Sequence, residues 1–126
     1  MARVLVVEDD ALIRQLIEDE LSDSGHAVQS VADGAAALDA VANEKPDAIV
    51  LDLMLPVVHG WDFIERYRAL TAGQEIPIVV VSAAGAVPRS MERLGVKRFF
   101  AKPFDVHEVA TIVGELAVSQ ESGYFG

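Results

Sequence analysis

The sequence predicts an α/β domain: a doubly wound, five-stranded parallel sheet with helices on both faces, a (βα)5 arrangement. Three observations predict it. Short, β-branched apolar runs alternate along the chain with longer stretches of helical spacing. The connections between them are short, and no segment reads as a repeat, a linker or a low-complexity tract. Finally, 126 residues that are 52% apolar and 24% charged suit one globular domain with a core that needs no disulfide, and the chain has no cysteine.

Taken in order, Val4 to Val7 is the first strand and stops at Glu8-Asp9-Asp10. Leu12, Ile13, Leu16, Ile17 and Leu21 then recur at helical spacing, and Gly25 is a stop signal. His26 to Val31 is a second, partly polar strand suited to a sheet edge. Asp33-Gly34 opens an alanine-rich helix with Leu38, Val41 and Ala42 on one face, and Lys45-Pro46 closes it. Ala48 to Leu53 is the most apolar strand, interrupted only by Asp52. After a loop with Pro56 and Gly60, the positions Trp61, Ile64, Tyr67 and Leu70 mark a third helix. Ile76 to Val81 is a buried-type strand whose Pro77 sits near its start, where a missing N–H is tolerated. Pro88 suits the first position of a short fourth helix through Met91 and Leu94. Val96 to Ala101 is the fifth strand. Asp105 and Glu108 resemble a capping box before a last helix with Val109, Ile112, Val113 and Leu116 on one face. Residues 1–118 make the domain, and 119–126 read as a flexible C-terminal tail.

Lys and Arg number 10 against 20 Asp and Glu, a net charge of −10. That argues against nonspecific binding to nucleic acid or to an anionic membrane. The longest apolar runs are strand-sized, too short to span a bilayer, and the N-terminal apolar run is too short for a signal peptide. A cytoplasmic protein is expected.

In a sheet of this kind ligands sit beyond the carboxyl ends of the strands. Strand 1 ends in Glu8-Asp9-Asp10, strand 3 in Asp52, strand 4 in Ser82-Ala83-Ala84 and strand 5 in Lys102-Pro103. Gathered carboxylates repel unless a cation or raised pKa values relieve them. Oxygen ligands without His or Cys favour Mg²⁺ over zinc. The acidic run alone fits a helix N-terminus equally well. Asp52, between Leu51 and Leu53, gains nothing structural at the end of a buried strand. Lys102 can be a counter-charge for a carboxylate or phosphoryl group, although alone it also reads as a surface lysine before a helix. Pro103 invites a cis peptide that would aim the ammonium inward. Ser82 can donate a hydrogen bond to a phosphoryl oxygen. An acceptor carboxylate, a metal pocket, a hydroxyl and an ammonium together suit acyl-phosphate chemistry.

At these residues the sequence resembles the receiver domain of two-component response regulators, over Arg3 to Ala117. The segment Val4 to Asp10 resembles the family's acidic start, and Asp47 to Gly60 its phosphorylation segment, with Asp52, Pro56 and Gly60 in place. Ser82-Ala83 resembles the Thr/Ser-Ala pair, and Lys102-Pro103-Phe104 the Lys-Pro-Phe triplet. The resemblance implies a flavodoxin-like strand order 2-1-3-4-5 and a phosphoacceptor served by a histidine kinase or a histidine phosphotransfer protein. It implies Asp52 as acceptor and Asp9 as ligand to Mg²⁺ or Mn²⁺, with Glu8 acting through a metal-bound water and the Met54 carbonyl completing the site. Ser82 and Lys102 would be the switching pair and Phe99 the aromatic switch, although Phe99 equally fits a core strand aromatic. A downstream protein would bind the face made by the fourth helix, the fifth strand and the last helix. In the family the second residue after the acceptor and the second after the switch hydroxyl flank the approach of a hydrolytic water. Met54 and Ala84 stand there, and neither side chain can usefully hold one, although both also fit loop residues of no kinetic consequence. Small Ala83 leaves room for a phosphodonor. A long-lived phosphorylated state is therefore expected.

His59 departs from the family's frequent Asp, Phe99 lacks the hydroxyl of the common Tyr, and the stretch from Ser82 to Lys102 is a little short. Three rival readings fare worse. An Asp-nucleophile phosphatase would need a proton donor two residues after Asp52, where Met54 stands. An FMN binder would need a phosphate loop where Glu8-Asp9-Asp10 would repel phosphate. A phosphorylation-independent, receiver-like binding module would not need Asp9, Asp52, Ser82 and Lys102 intact. After Lys102 there is no Lys or Arg, so no DNA-binding module is expected within this sequence. The reading is of a signalling receiver that acts only on its own phosphorylation, not of an enzyme with a separate substrate.

Overall fold

In the computed structural model, residues 2–53, 60–70, 76–82 and 96–122 are described. Five strands form one parallel sheet: β1 (Arg3–Val7), β2 (Ala27–Val31), β3 (Ala48–Asp52), β4 (Ile78–Ser82) and β5 (Val96–Ala101). Their order is β2-β1-β3-β4-β5, as the sequence reading implied. Among the described residues the helices are α1 (Ala11–Asp23), α2 (Gly34–Asn43), α3 (Gly60–Leu70) and α4 (Val106–Ser122). The short helix expected over Pro88 to Leu94 lies outside the described residues, as do Met54, His59, Ala83 and Ala84.

The strand alternation decides which side chain faces which helices. Leu5, Val7, Ile49, Leu51, Ile78 and Val80 face one layer, where they meet Ala37 and Val41 of α2 and Phe63, Ile64 and Tyr67 of α3. Val4, Val6, Val50, Val79 and Val81 face the other, against Ile17 and Leu21 of α1 and Val109 and Val113 of α4. The central strands β3 and β4 are buried along their whole length, which is why they read as apolar runs up to their last residues, Asp52 and Ser82. The edge strands β2 and β5 are partly exposed and carry Gln29, Ser30, Lys97 and Arg98. Outside the core, His107 Nδ1 of α4 stands 2.8 Å from Glu20 Oε1 of α1.

The element boundaries follow local hydrogen bonding. Asp10 caps α1, its Oδ1 accepting from the N–H groups of Leu12 and Ile13 at 3.0 and 3.1 Å. Asp33 caps α2 through Ala36 N–H at 2.8 Å. Asp105 caps α4, accepting from His107 N–H at 2.8 Å and Glu108 N–H at 3.4 Å. Gly25 ends α1 at φ +92°, a conformation that L side chains resist.

Some boundaries differ from expectation. His26 stands before β2, because its N–H bonds Leu21 C=O in the turn that closes α1. Its Nδ1 accepts from Ala2 N–H at 3.2 Å. The fourth strand starts at Ile78 instead of Ile76. Tyr67 takes both backbone groups of Ile76: its hydroxyl accepts from Ile76 N–H at 3.1 Å and donates to Ile76 C=O at 3.4 Å. The last helix continues over Ser119–Ser122, part of the stretch read as tail. Of the apolar positions at helical spacing in α1, Leu12 and Leu16 are 70% and 48% exposed, and only Ile17 and Leu21 are fully buried.

Tyr67→Phe keeps the ring, which stacks on Phe63 at 5.8 Å, and removes only the hydroxyl. Two buried backbone groups then lose their partner, and a loss of roughly 1–3 kcal/mol is expected. Urea denaturation will read it as a lower midpoint at unchanged slope.

Candidate functional site

The site lies at the carboxyl ends of β1, β3 and β5. Glu8 continues the phase of Val4 and Val6, and Asp52 that of Val50, so both carboxylates project on the α1/α4 side of the sheet. Both are buried, whereas Asp9, next in the β1–α1 turn, is exposed. Lys102 follows β5, its N–H bonding Ser82 C=O at 3.0 Å and so tying the ends of β4 and β5 together. The Lys102-Pro103 peptide is cis. Lys102 Nζ lies 2.7 Å from Glu8 Oε1 and 3.1 Å from Asp52 Oδ2.

One ammonium thus serves two buried carboxylates. Glu8 has its other oxygen, Oε2, on Asp10 N–H at 3.1 Å. Burial pushes the Glu8 carboxyl up to about 7; Lys102 opposes the rise and the neighbouring Asp52 adds to it. Burial pulls the Lys102 ammonium down, but its bonds to Glu8 and Asp52 outweigh that, and its pKa is raised.

Glu8, Asp9 and Asp52 each place a carboxylate oxygen within 4.8 Å of the others. All the donors are hard oxygens. Glu8 Oε1 is buried and makes no hydrogen bond of good geometry, only the ion pair to Lys102. Convergent carboxylates, one of them held near neutrality by burial, are what a divalent cation relieves, so the residues present fit Mg²⁺ or Mn²⁺.

Ser82 is fully buried at the end of β4, paired with Ala101 of β5. Phe99 pairs with Val80, on the same side of the sheet as Ser82, and packs half-buried against the α2/α3 layer. The fold therefore brings Glu8, Asp9, Asp52 and Lys102 to one point and places Ser82 and Phe99 on the opposite face of neighbouring strands. The Met54 carbonyl, Ala83 and Ala84 lie outside the described residues.

Two features escaped the sequence reading. Arg14 reaches back from α1, its Nη1 donating to Glu8 C=O at 2.9 Å. A groove of about 410 Å³, lined by Ile13, Leu16, Lys102, Pro103, Phe104 and Val106, opens beside the site. The exposed leucines of α1 were legible as apolar, but helical spacing alone does not say which side of a broad stripe is covered.

Residues 4–114 match the family model described as the response regulator receiver domain. The response regulator MprA of Mycobacterium sp. (strain KMS) is 37% identical over 109 residues, which cover 85% of this chain and 46% of that protein. MprA of Mycobacterium avium (strain 104) is 36% identical over the same length. The chain thus spans about half the length of these relatives. The Vibrio cholerae chemotaxis protein CheY4 superposes with a TM-score of 0.82 at 27% identity, covering 92% of this chain and 98% of that one. The receiver domain of the Francisella response regulator 1452 superposes at 0.83, also 27% identical, covering 94% and 98%. A family match that takes in both the acidic turn after β1 and the lysine after β5 makes this chain a member of the response regulator receiver domain family.

Proposed function

We propose that Asp52 accepts a phosphoryl group from a phosphohistidine on a histidine kinase or a histidine phosphotransfer protein, and that this switches the binding of a downstream protein. The single observation that carries the reading is a buried acceptor carboxylate within 4.8 Å of two further carboxylates and bridged by a lysine. An Asp52 oxygen attacks phosphorus in line, and the P–N bond breaks with its electron pair going to the leaving imidazole. Lys102 releases its carboxylate partners and neutralises phosphoryl oxygens as they arrive. Asp9, Asp52, the Met54 carbonyl and, through water, Glu8 would hold Mg²⁺ or Mn²⁺, which would supply the remaining positive charge. Acceptor and catalytic groups sit on one chain, so no separate substrate is turned over. The groove beside Lys102, lined in part by the exposed Leu16 and by Phe104, gives a protein donor apolar surface next to the acceptor.

The Ser82 hydroxyl then moves toward the phosphoryl group and Phe99 repacks, a shift between two packings of one fold. The downstream partner reads the change on the face that includes β5 and α4. Among the described residues no helix is long and apolar enough to cross a membrane, which suits a cytoplasmic relay.

The test is incubation with acetyl phosphate and Mg²⁺ followed by intact-protein mass measurement. Wild type should gain one phosphoryl group, and Asp52→Asn or omission of Mg²⁺ should reduce the gain to background. Incorporation at the wild-type level in Asp52→Asn rejects the assignment.

The lifetime of the phosphorylated protein follows from Met54 and Ala84. Polar side chains there would hold a water in line with phosphorus. Met54→Asn and Ala84→Glu should therefore each accelerate decay several-fold, roughly tenfold at most, since water placement is one of several contributions. Unchanged or slower decay in both removes water placement as the controlling factor.

A further inference from the structure

We infer that Arg14 is a positioning residue for the metal-binding turn, setting cation affinity without touching the cation; the inference rests on the metal reading proposed above. Arg14 holds both ends of the turn Glu8–Asp10. Its backbone N–H donates to Asp10 C=O at 2.9 Å, the first hydrogen bond of α1, and its Nη1 donates to Glu8 C=O at 2.9 Å. Asp10 in turn fixes the helix start with its side chain and donates its N–H to Glu8 Oε2 at 3.1 Å. Asp9 lies between these two fixed points and is exposed, so the turn itself sets where its carboxylate stands.

The choice of partner is the informative part. Arg14 is a cation four to six residues from three consecutive acids. Yet among the described residues it forms no ion pair, and its guanidinium bonds a backbone carbonyl. Arg14 therefore leaves the carboxylates of Glu8 and Asp9 unclaimed by its own guanidinium, and they converge with Asp52. Had Arg14 bound either carboxylate, it would compete with a cation for the same lone pairs. Bound to the carbonyl, it orients the ligands as an outer-shell partner does, and loss of such partners typically lowers metal affinity by tenfold or more.

A second effect has the opposite sign. A positive charge near the site repels Mg²⁺, so a role through charge alone would make Arg14 removal tighten binding. Half-exposure and aqueous screening keep that repulsion small, and loss of ligand placement dominates.

The experiment is calorimetric titration of Mg²⁺ into metal-free wild type, Arg14→Lys and Arg14→Met, with urea midpoints of the metal-free proteins alongside. Arg14→Met should raise the Mg²⁺ Kd about tenfold. Arg14→Lys, which keeps the charge but loses the planar fork, should fall between the two. A Kd in Arg14→Met that equals or improves on wild type, with wild type binding normally, overturns the role of Arg14. A lowered urea midpoint with unchanged Kd does the same, assigning Arg14 to the fold alone. Absence of Mg²⁺ binding in wild type instead overturns the metal reading, and the inference with it. Should Arg14→Met fail to fold, an unchanged Kd in Arg14→Lys is decisive against the fork.

Discussion

Lys102→Met is expected to destabilise the metal-free protein by roughly 3 kcal/mol at pH 8, the low end for removing one partner of a buried ion pair. Two buried carboxylates, Glu8 and Asp52, lose their shared ammonium at 2.7 and 3.1 Å. The loss stays at the low end because Glu8, already pushed up to about 7 by burial, can take up a proton instead of remaining charged. At pH 6 the penalty should therefore shrink. Saturating Mg²⁺ should recover much of it at pH 8, because a cation at the carboxylates replaces the missing ammonium. Phosphoryl loading should not recover, since phosphoryl oxygens would still lack the lysine. Urea melts at the two pH values, with and without Mg²⁺, measure the three stability effects, and intact-protein mass measures the loading. Equal stability of variant and wild type at pH 8 would contradict the account.

Glu8→Gln should act in the opposite direction on stability. The Glu8 carboxyl is raised from 4.5 to about 7 in the fold, first by burial, with Lys102 opposing the rise and Asp52 adding to it. A raised folded pKa means that its favourable contribution is complete below about 4.5 and is lost as pH climbs through about 7. Above that range wild type carries a buried carboxylate at a cost on the order of 3 kcal/mol, from the size of the displacement. Gln mimics the protonated form and avoids the cost. Metal-free Glu8→Gln should thus match wild type near pH 5 and exceed its stability at pH 8. Mg²⁺ reverses the comparison: wild type should gain stability on titration, and the variant much less, because an amide oxygen is a poorer partner for a cation or its water. A variant no more stable than wild type at pH 8, or one that gains as much from Mg²⁺, would remove Glu8 from the metal site.

The two predictions share a cause. Two buried carboxylates, Glu8 and Asp52, share one ammonium, and the fold tolerates them because β1, β3 and β4 bury so much apolar surface around them. Val4, Val6, Val50, Val79 and Val81 are all fully buried on the side where Glu8 and Asp52 emerge. That burial also makes the carboxylates responsive to a cation.

Much of this was legible in the sequence. The alternation of strand-sized and helix-sized segments carries the fold, because parallel strands buried on both faces cannot avoid reading as apolar runs. Asp52 stood out for the same reason: an acid ending such a run has no structural benefit. Asp10, Asp33 and Asp105 announce helix starts, and Gly25 a stop, by local chemistry alone. The pairing of Lys102 with Glu8 as well as Asp52 was less accessible, since it depends on where two strand ends fall across the sheet. Arg14 was missed because an arginine on a helix surface has many ordinary uses, and only the turn geometry shows it reaching Glu8 C=O. The start of β4 was misplaced because a side chain 9 residues away, Tyr67, claims the backbone of Ile76. The exposure of Leu12 and Leu16 was likewise a tertiary fact, set by how α1 rolls on the sheet beside α4.

The central claim is that the phosphoryl group becomes an acyl phosphate on Asp52. Reduction with borohydride converts an aspartyl phosphate to homoserine and leaves unmodified aspartate and phosphoserine unchanged. The protein loaded with acetyl phosphate and Mg²⁺ would be reduced, digested and sequenced by mass spectrometry. Homoserine is expected at position 52 and aspartate at position 9. Homoserine at position 9, or a phosphoryl group that survives reduction on Ser82, would contradict it.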